Sequence, residues 1–241
     1  MIRVENLTKR FGKLTALDSV SLTMEQGKCI ALIGPNASGK TTLIKSILGL
    51  VFPTKGKIFI NNVSVIGEWK YKSNIGYMPQ IGRYPENVTI QQLFRMLIDL
   101  RQLEWSTCDT DLYTRFEIEN IQAKKLGTLS GGTRQKISAC LAFLFNPAIL
   151  ILDEPTAGLD PVSTEILKEK ILKEKANGKL ILITSHVLSD LDELVDEVVF
   201  LQEGKIGFQK NIRTLRQETG EEKLSRAIAK VMGYIENGQT V

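Results

Sequence analysis

The chain has 241 residues, 43% hydrophobic and 24% charged, a balance suited to one sizeable globular core with room for a small second lobe. Its net charge of +4 comes from Lys and Arg scattered among acids without a long basic block, which argues against a nucleic-acid or membrane-surface binder. Cys29, Cys108 and Cys140 are odd in number and lack Cys-x-x-Cys spacing, and His186 is the single histidine; this points to a reducing compartment and speaks against a disulfide framework or a metal site built by the chain.

From the N-terminus, Met1-Ile2-Arg3-Val4-Glu5-Asn6 turns polar at once and shows no leader pattern. Apolar and polar residues alternate through residues 1–32, as in Ile2-x-Val4 and Val20-x-Leu22, which predicts antiparallel strands. Residues 29–33 form a short apolar run and predict a buried strand feeding a glycine-rich loop. Residues 41–50 predict a helix with Leu43, Ile44, Ile47 and Leu48 on one side and Gly49 near its end. Another strand is expected at 57–60.

A more polar stretch follows, from about 85 to 136. Thr89-x-x-Gln92 has the form of a capping box and predicts a helix through Leu93, Leu97 and Leu100. Periodicity is weak over 104–125. Residues 137–152 are strongly apolar, but Ser138, Asn146 and Pro147 interrupt them, and they fall short of the roughly 20 residues needed to cross a bilayer. They read as a buried helix, a turn at Asn146-Pro147 and a buried strand over 148–152. A helix is expected at 161–175, closed by Asn177-Gly178, and a strand at 179–183. Near the C-terminus, Leu224, Ala227, Ile228 and Val231 predict an amphipathic helix over 223–232, packed on its own domain, with 238–241 frayed. Apolar strands alternating with helices predict an α/β fold around a parallel sheet, the polar stretch being an inserted helical lobe.

Two local patterns carry chemistry. Gly34-Pro35-Asn36-Ala37-Ser38-Gly39-Lys40-Thr41 lies between a strand and a helix and has the form of a phosphate-binding loop. Glycines let the backbone point successive N–H groups at an anion, and the helix dipole adds to this. Lys40 is expected on the β- and γ-phosphates of ATP and Thr41 on Mg²⁺, with Thr42 also among the nucleotide-binding residues. Asp153 and Glu154 end the apolar run Ile149-Leu150-Ile151-Leu152. A buried strand delivers them to a sheet edge, where Asp153 would hold Mg²⁺ through its water shell and Glu154 would orient and polarise the attacking water. Solvated acids at a strand end are the bland alternative.

Between these patterns stands Leu129-Ser130-Gly131-Gly132-Thr133. In this order the three elements resemble the nucleotide-binding domains of ATP-binding cassette (ABC) ATPases, over almost the whole chain. The resemblance implies a P-loop NTPase with a mixed or parallel core sheet, an N-terminal antiparallel β region and a helical subdomain. The whole of 1–241 would be one domain: core at 1–84 and 137–210, helical subdomain at 85–136, and a C-terminal helical extension at 211–241. Gln80, in Tyr77-Met78-Pro79-Gln80, resembles the Q-loop glutamine, on the metal or its water. Gly158-Leu159-Asp160 is similar to the D-loop, and His186 to the switch histidine on the γ-phosphate. Phe11 stands where the family stacks an aromatic ring, commonly tyrosine, on adenine. Thr133 departs from the family's usual glutamine, while Ser130 and the amides of Gly131 and Gly132 remain to bind a γ-phosphate held by an opposite copy.

The resemblance thus implies an ATP-hydrolysing subunit working as a head-to-tail homodimer, with a separate transmembrane permease as partner. It implies a place in the cytoplasm, peripheral on the inner face of the membrane. No nucleic acid is expected; a soluble cassette acting on nucleic acid or ribosomes and a P-loop phosphotransferase are the competing readings. The stretches 129–136, 141–145 and 219–224 are similar to the cassette of the copper-maturation transporter for nitrous oxide reductase.

Overall fold

Alternation in the first 24 positions is realised as two antiparallel strands, β1 (Ile2–Phe11) and β2 (Leu14–Met24). The computed structural model describes residues 1–65 and 67–231, which form two compact units, 1–72 with 182 onward, and 73–181.

In the first unit, β1 sets Ile2 opposite Met24 and Val4 opposite Leu22, then slips register before Leu7, where Asn6 takes a φ of 46°. After β2 come β3 (Cys29–Ile33), wholly buried, α1 (Lys40–Ile47), β4 (Lys55–Ile60) and β5 (Val63–Ser64). The antiparallel sheet runs β2-β1-β4-β5. Its last hairpin turns on Asn61-Asn62, both at positive φ (49° and 65°), as a two-residue turn of matching twist requires. Helix α1 ends earlier than expected: Gly49, at φ 63°, leaves the helix and Leu50 stands exposed.

The second unit contains β6 (Ile75–Met78), α2 (Ile90–Leu100), α3 (Asp111–Arg115), α4 (Gly131–Phe143), β7 (Ile149–Asp153) and α5 (Pro161–Ala176). Strands β6 and β7 are parallel, Ile75 facing Ile149 and Met78 facing Leu152. The capping box forms as expected, with the Gln92 amide N–H donating to Thr89 Oγ1 at 3.2 Å and the Thr89 N–H to Gln92 Oε1 at 2.9 Å. The buried face of α2 is Ile90, Leu93, Phe94 and Ile98, while Leu100, at the end of the helix, is exposed. Where periodicity is weak, rings supply the packing: Phe94, Trp105 and Tyr113 meet edge to face with centroids 4.9–6.0 Å apart. Asn146, at φ 47°, makes the turn into β7, and Asp160 caps α5 with Pro161 in its first turn. The expected helical subdomain, 85–136, lies within this unit.

The unit also buries an ionic cluster. The Lys170 ammonium, 1% exposed, contacts Asp109 at 2.6 Å, Glu174 at 2.9 Å and Asp111 at 3.3 Å, and Lys179 closes on Glu174 from the other side. Burial alone would push the lysine pKa down, but its bonds to Asp109 and Glu174 outweigh this and hold it above the ordinary value. The same balance, with Lys179 and Lys170 outweighing burial, holds Glu174 below its ordinary value. The Lys170 contribution to stability is therefore lost only as pH rises through its raised pKa, and that of Glu174 only as pH falls through its lowered one. Lys170→Met leaves the buried Glu174 and the half-buried Asp109 without their shared partner, and a stability loss of about 3 kcal/mol is expected. An unchanged denaturant midpoint in that variant would show the cluster to be neutral.

The division between the units falls inside β8 (Leu180–Thr184). Beyond it the first unit resumes with β9 (Glu197–Gln202), β10 (Lys205–Asn211), α6 (Ile212–Thr219) and α7 (Leu224–Val231). No strand is expected from the sequence after residue 183. Yet β9 runs parallel to β3, Ile33 facing Phe200, and antiparallel to β10. Residues 197–201 of β9 are buried without alternation, so periodicity alone cannot tell such a run from a buried helix. The C-terminal helix buries Leu224, Ala227 and Ile228 as expected; Met232 and the tail expected to fray at 238–241 lie outside the described residues. Among the described residues no helix is long and apolar enough to cross a membrane.

Candidate nucleotide site

In the first unit, β3 delivers the chain into the loop that precedes α1. Gly34 and Gly39 take φ values of 151° and 108°, and a Cβ would lie 2.0 Å from the Leu201 carbonyl oxygen at the first and 2.5 Å from that of Ala16 at the second. Only glycine fits either place. Between them Ala37 takes a φ of 62°, and the Ser38 amide donates to the Pro35 carbonyl at 3.2 Å. Pro35, Asn36 and Ala37 are exposed. Ser38 is 2% exposed, and its hydroxyl has no hydrogen-bond partner among the described residues. Lys40 folds back over the loop, donating to the carbonyls of Gly34 at 2.7 Å and Pro35 at 3.0 Å. No side chain caps the N-terminus of α1, and its first turn holds no acid. Thr41 is exposed in that turn, with Thr42 half-buried beside it. Glycines without room for a side chain, an orphaned buried hydroxyl, a lysine and an uncapped helix end fit a phosphate chain.

Two further candidate residues, Phe11 and His186, belong to this unit. Phe11 ends β1 with 48% of its surface exposed, and the Lys9 ammonium sits 4.8 Å from its ring centroid. That ammonium also donates to the Phe52 carbonyl at 2.8 Å, so it is held over the ring. His186 is exposed two residues past β8, in a turn pinned by the Ser185 hydroxyl, which accepts from the Val187 amide at 2.9 Å.

The second unit carries the carboxylates. Asp153, 8% exposed, ends β7. Its charge, after burial, helps push the phenol of Tyr77 on the neighbouring strand up to about 12. Gln80 is exposed two residues past β6. Glu154 is half-buried and takes a left-handed φ of 52°, uncommon for a residue with a side chain. Asp160 accepts from the Ser163 amide at 2.9 Å and its hydroxyl at 2.7 Å, and pairs with Lys136 at 2.9 Å. Those bonds, the Ser163 hydroxyl first, hold its carboxyl well below the usual range.

Ser130 is exposed and caps α4, accepting from the Thr133 amide at 3.3 Å and meeting the Thr133 hydroxyl at 2.9 Å. Gly131 and Gly132 thus form the first turn of α4 rather than preceding it. A Cβ at Gly131 would meet nothing within 4 Å, while one at Gly132 would lie 2.7 Å from the Gly158 carbonyl oxygen. The second turn of α4 holds what sequence reasoning missed. Gln135, 5% exposed, donates to the Glu154 carbonyl at 3.2 Å and that of Pro155 at 3.5 Å. A polar Gln135-Lys136 pair just before the apolar run 137–143 was the available signal. Beside Gln80, a cleft of about 410 Å³ is lined by Ile81, Arg83, Tyr84, Glu86, Leu126 and Arg134, among others.

The profile of the family described as ABC transporter matches residues 17–157. The uncharacterized ABC transporter ATP-binding protein YhaQ of Bacillus subtilis (strain 168) is 35% identical over 229 residues, covering 93% of this chain and 76% of that protein. The lantibiotic transport ATP-binding protein SrtF of Streptococcus pyogenes is 34% identical, covering 87% and 90%. A solved structure of an ATP-binding subunit of an ABC transporter superposes with a TM-score of 0.89 at 28% identity, covering 96% of this chain and 99% of that one. A dimeric structure of the bacterial cassette MJ0796 superposes with a TM-score of 0.78 at 22% identity over 88% and 99%, a likeness of fold.

Proposed function

The chain belongs to the ABC transporter family as one of its ATP-hydrolysing cassettes, and from that premise we propose that two copies close head to tail around two ATP molecules and drive a separate membrane subunit. The observation that carries the reading is the signature turn, where Ser130 and an unobstructed Gly131 stand exposed at the start of α4. Donors presented outward in this way suit the γ-phosphate of ATP held by another copy's phosphate loop.

Each residue then has a task. The loop amides and Lys40 bind the phosphates, and the exposed face of Phe11 stacks on the base. Glu154 polarises the attacking water and takes its proton, while His186 contacts the γ-phosphate. Thr41, Asp153 and Gln80 offer a hydroxyl, a carboxylate and an amide oxygen, the hard donors Mg²⁺ takes, and that ion supplies neutralisation of phosphate charge. Closure depends on contacts to the γ-phosphate from both copies, so hydrolysis and phosphate release let the pair open. Asp160, which caps the start of α5, is assigned by this reading to the interface between the two copies.

The cleft beside Gln80 suits an element of the membrane subunit: Ile81 is 70% exposed there, with Arg83, Glu86 and Arg134 as charged surroundings. That partner would hold the chain at the cytoplasmic face of the membrane. The stretches 129–136, 141–145 and 219–224 favour a permease serving copper-site maturation of nitrous oxide reductase, with the copper handled by other proteins.

Turnover by the purified chain should rise faster than linearly with its own concentration, and its ATP dependence should be cooperative, with a Hill coefficient between 1 and about 2. A specific activity independent of chain concentration, with no cooperativity, would mean that one copy works alone and would sink the shared-site reading.

A further inference from the structure

We infer that Gln135 is a positioning residue for Glu154, holding the loop that carries this carboxylate in its left-handed turn and tying it to the signature helix. The inference deepens the reading of Glu154 as the hydrolytic base and rests on it. Three observations converge. Glu154 has a φ of 52°, a conformation that a residue with a side chain keeps only where its surroundings hold it. Gln135 is nine-tenths buried or more, at 5% exposure, and its side-chain nitrogen lies 3.2 Å from the Glu154 carbonyl oxygen and 3.5 Å from that of Pro155. Two carbonyls at one end of an amide admit only its NH₂ group, so the glutamine has one workable orientation. The same carbonyl of Glu154 also accepts from the Ala157 amide at 3.1 Å, which closes the turn.

The grip extends along the helix. Gly132 approaches Gly158 so closely that a Cβ would lie 2.7 Å from its carbonyl oxygen, and Lys136 pairs with Asp160 at 2.9 Å. Positions 135, 132 and 136 of α4 therefore hold the segment 154–160 at its beginning, near its end and at its last residue, in that order. In a head-to-tail pair, the signature turn of one copy engages the ATP of one site, while Glu154 of that copy serves the other. Gln135 thus joins the grip on one ATP to the placing of the carboxylate at the second.

Gln135→Met keeps length and burial but removes both donated bonds. Its kcat should fall about ten-fold or more, because small misplacement of a reacting group is costly, while KM and ATP affinity of the single chain stay within about two-fold. Hydrogen exchange at the amides of 154–160, Ala157 above all, should speed up without ATP present. In a Glu154→Gln background the variant should still dimerise with ATP. Unchanged exchange at 154–160 would overturn the inference, as would an unchanged kcat or a loss of ATP affinity matching the loss of rate. Should Gln135→Met not fold, Gln135→Glu keeps the size and turns the donor into an acceptor, and the same pattern is expected of it. The exchange measurement needs no turnover, so absence of ATPase activity in the unaltered chain would count against the functional reading alone.

Discussion

Glu154→Gln lowers ATP turnover by a factor of about 100 to 10,000, the usual contribution of a positioned base, and leaves a dimer that forms only with ATP. Glutamine has the size of glutamate but cannot accept a proton from the attacking water. Backbone geometry should survive, because the bonds from Gln135 and Ala157 go to the main-chain carbonyl of residue 154 and not to its side chain. ATP binding draws on Lys40, the loop amides and the signature turn, none of which changes. Binding without hydrolysis keeps the γ-phosphate contacts and so accumulates the closed pair. Mass in solution, with and without Mg-ATP, reads this directly, alongside phosphate release. Normal turnover by the variant would rule out Glu154 as the catalytic carboxylate.

Ser130→Arg gives the opposite separation: ATP still binds the single chain, but closure is lost. Ser130 is exposed at the start of α4, where a long side chain can be accommodated in one copy on its own. Loss of its cap to the Thr133 amide costs about 1 kcal/mol, too little to unfold a domain of this size. In the closed pair the arginine would occupy the space reserved for the partner's γ-phosphate and would remove the short hydroxyl donor. The decisive measurement introduces Ser130→Arg into the Glu154→Gln chain, where the closed pair is otherwise long-lived. Dimerisation undiminished at saturating ATP would defeat the role given to Ser130.

Legibility in the sequence followed the range of the interactions involved. The capping box of α2 and the Asn177-Gly178 end of α5 depend on neighbours within a few positions, and both stand where expected. The helix expected through Leu93, Leu97 and Leu100 forms, but its buried face is Ile90, Leu93, Phe94 and Ile98, because helical phase is set by what the helix packs against. Strand β9 carries no strand signal in the sequence because a run buried on both faces has no alternation to display. Residues 104–125 showed little periodicity because much of their packing comes from Trp105 and Tyr113 against Phe94, a ring cluster with no repeat.

The sequence by itself determined the chemistry that resides in short stretches of backbone. A loop of glycines before Lys40, a buried strand ending in Asp153-Glu154 and a serine before two glycines each carry their geometry with them. Local φ, ψ permissions and helix capping need no distant partner. Only the tertiary structure decided what holds those stretches in place. The Lys9 ammonium on the Phe52 carbonyl, the bond from Lys170 to Asp109 and the grip of Gln135 on the Glu154 turn join distant segments by side chains that no local pattern pairs. The last spans 19 residues of chain. Such contacts follow from which surfaces bury one another, and that is a property of the whole fold.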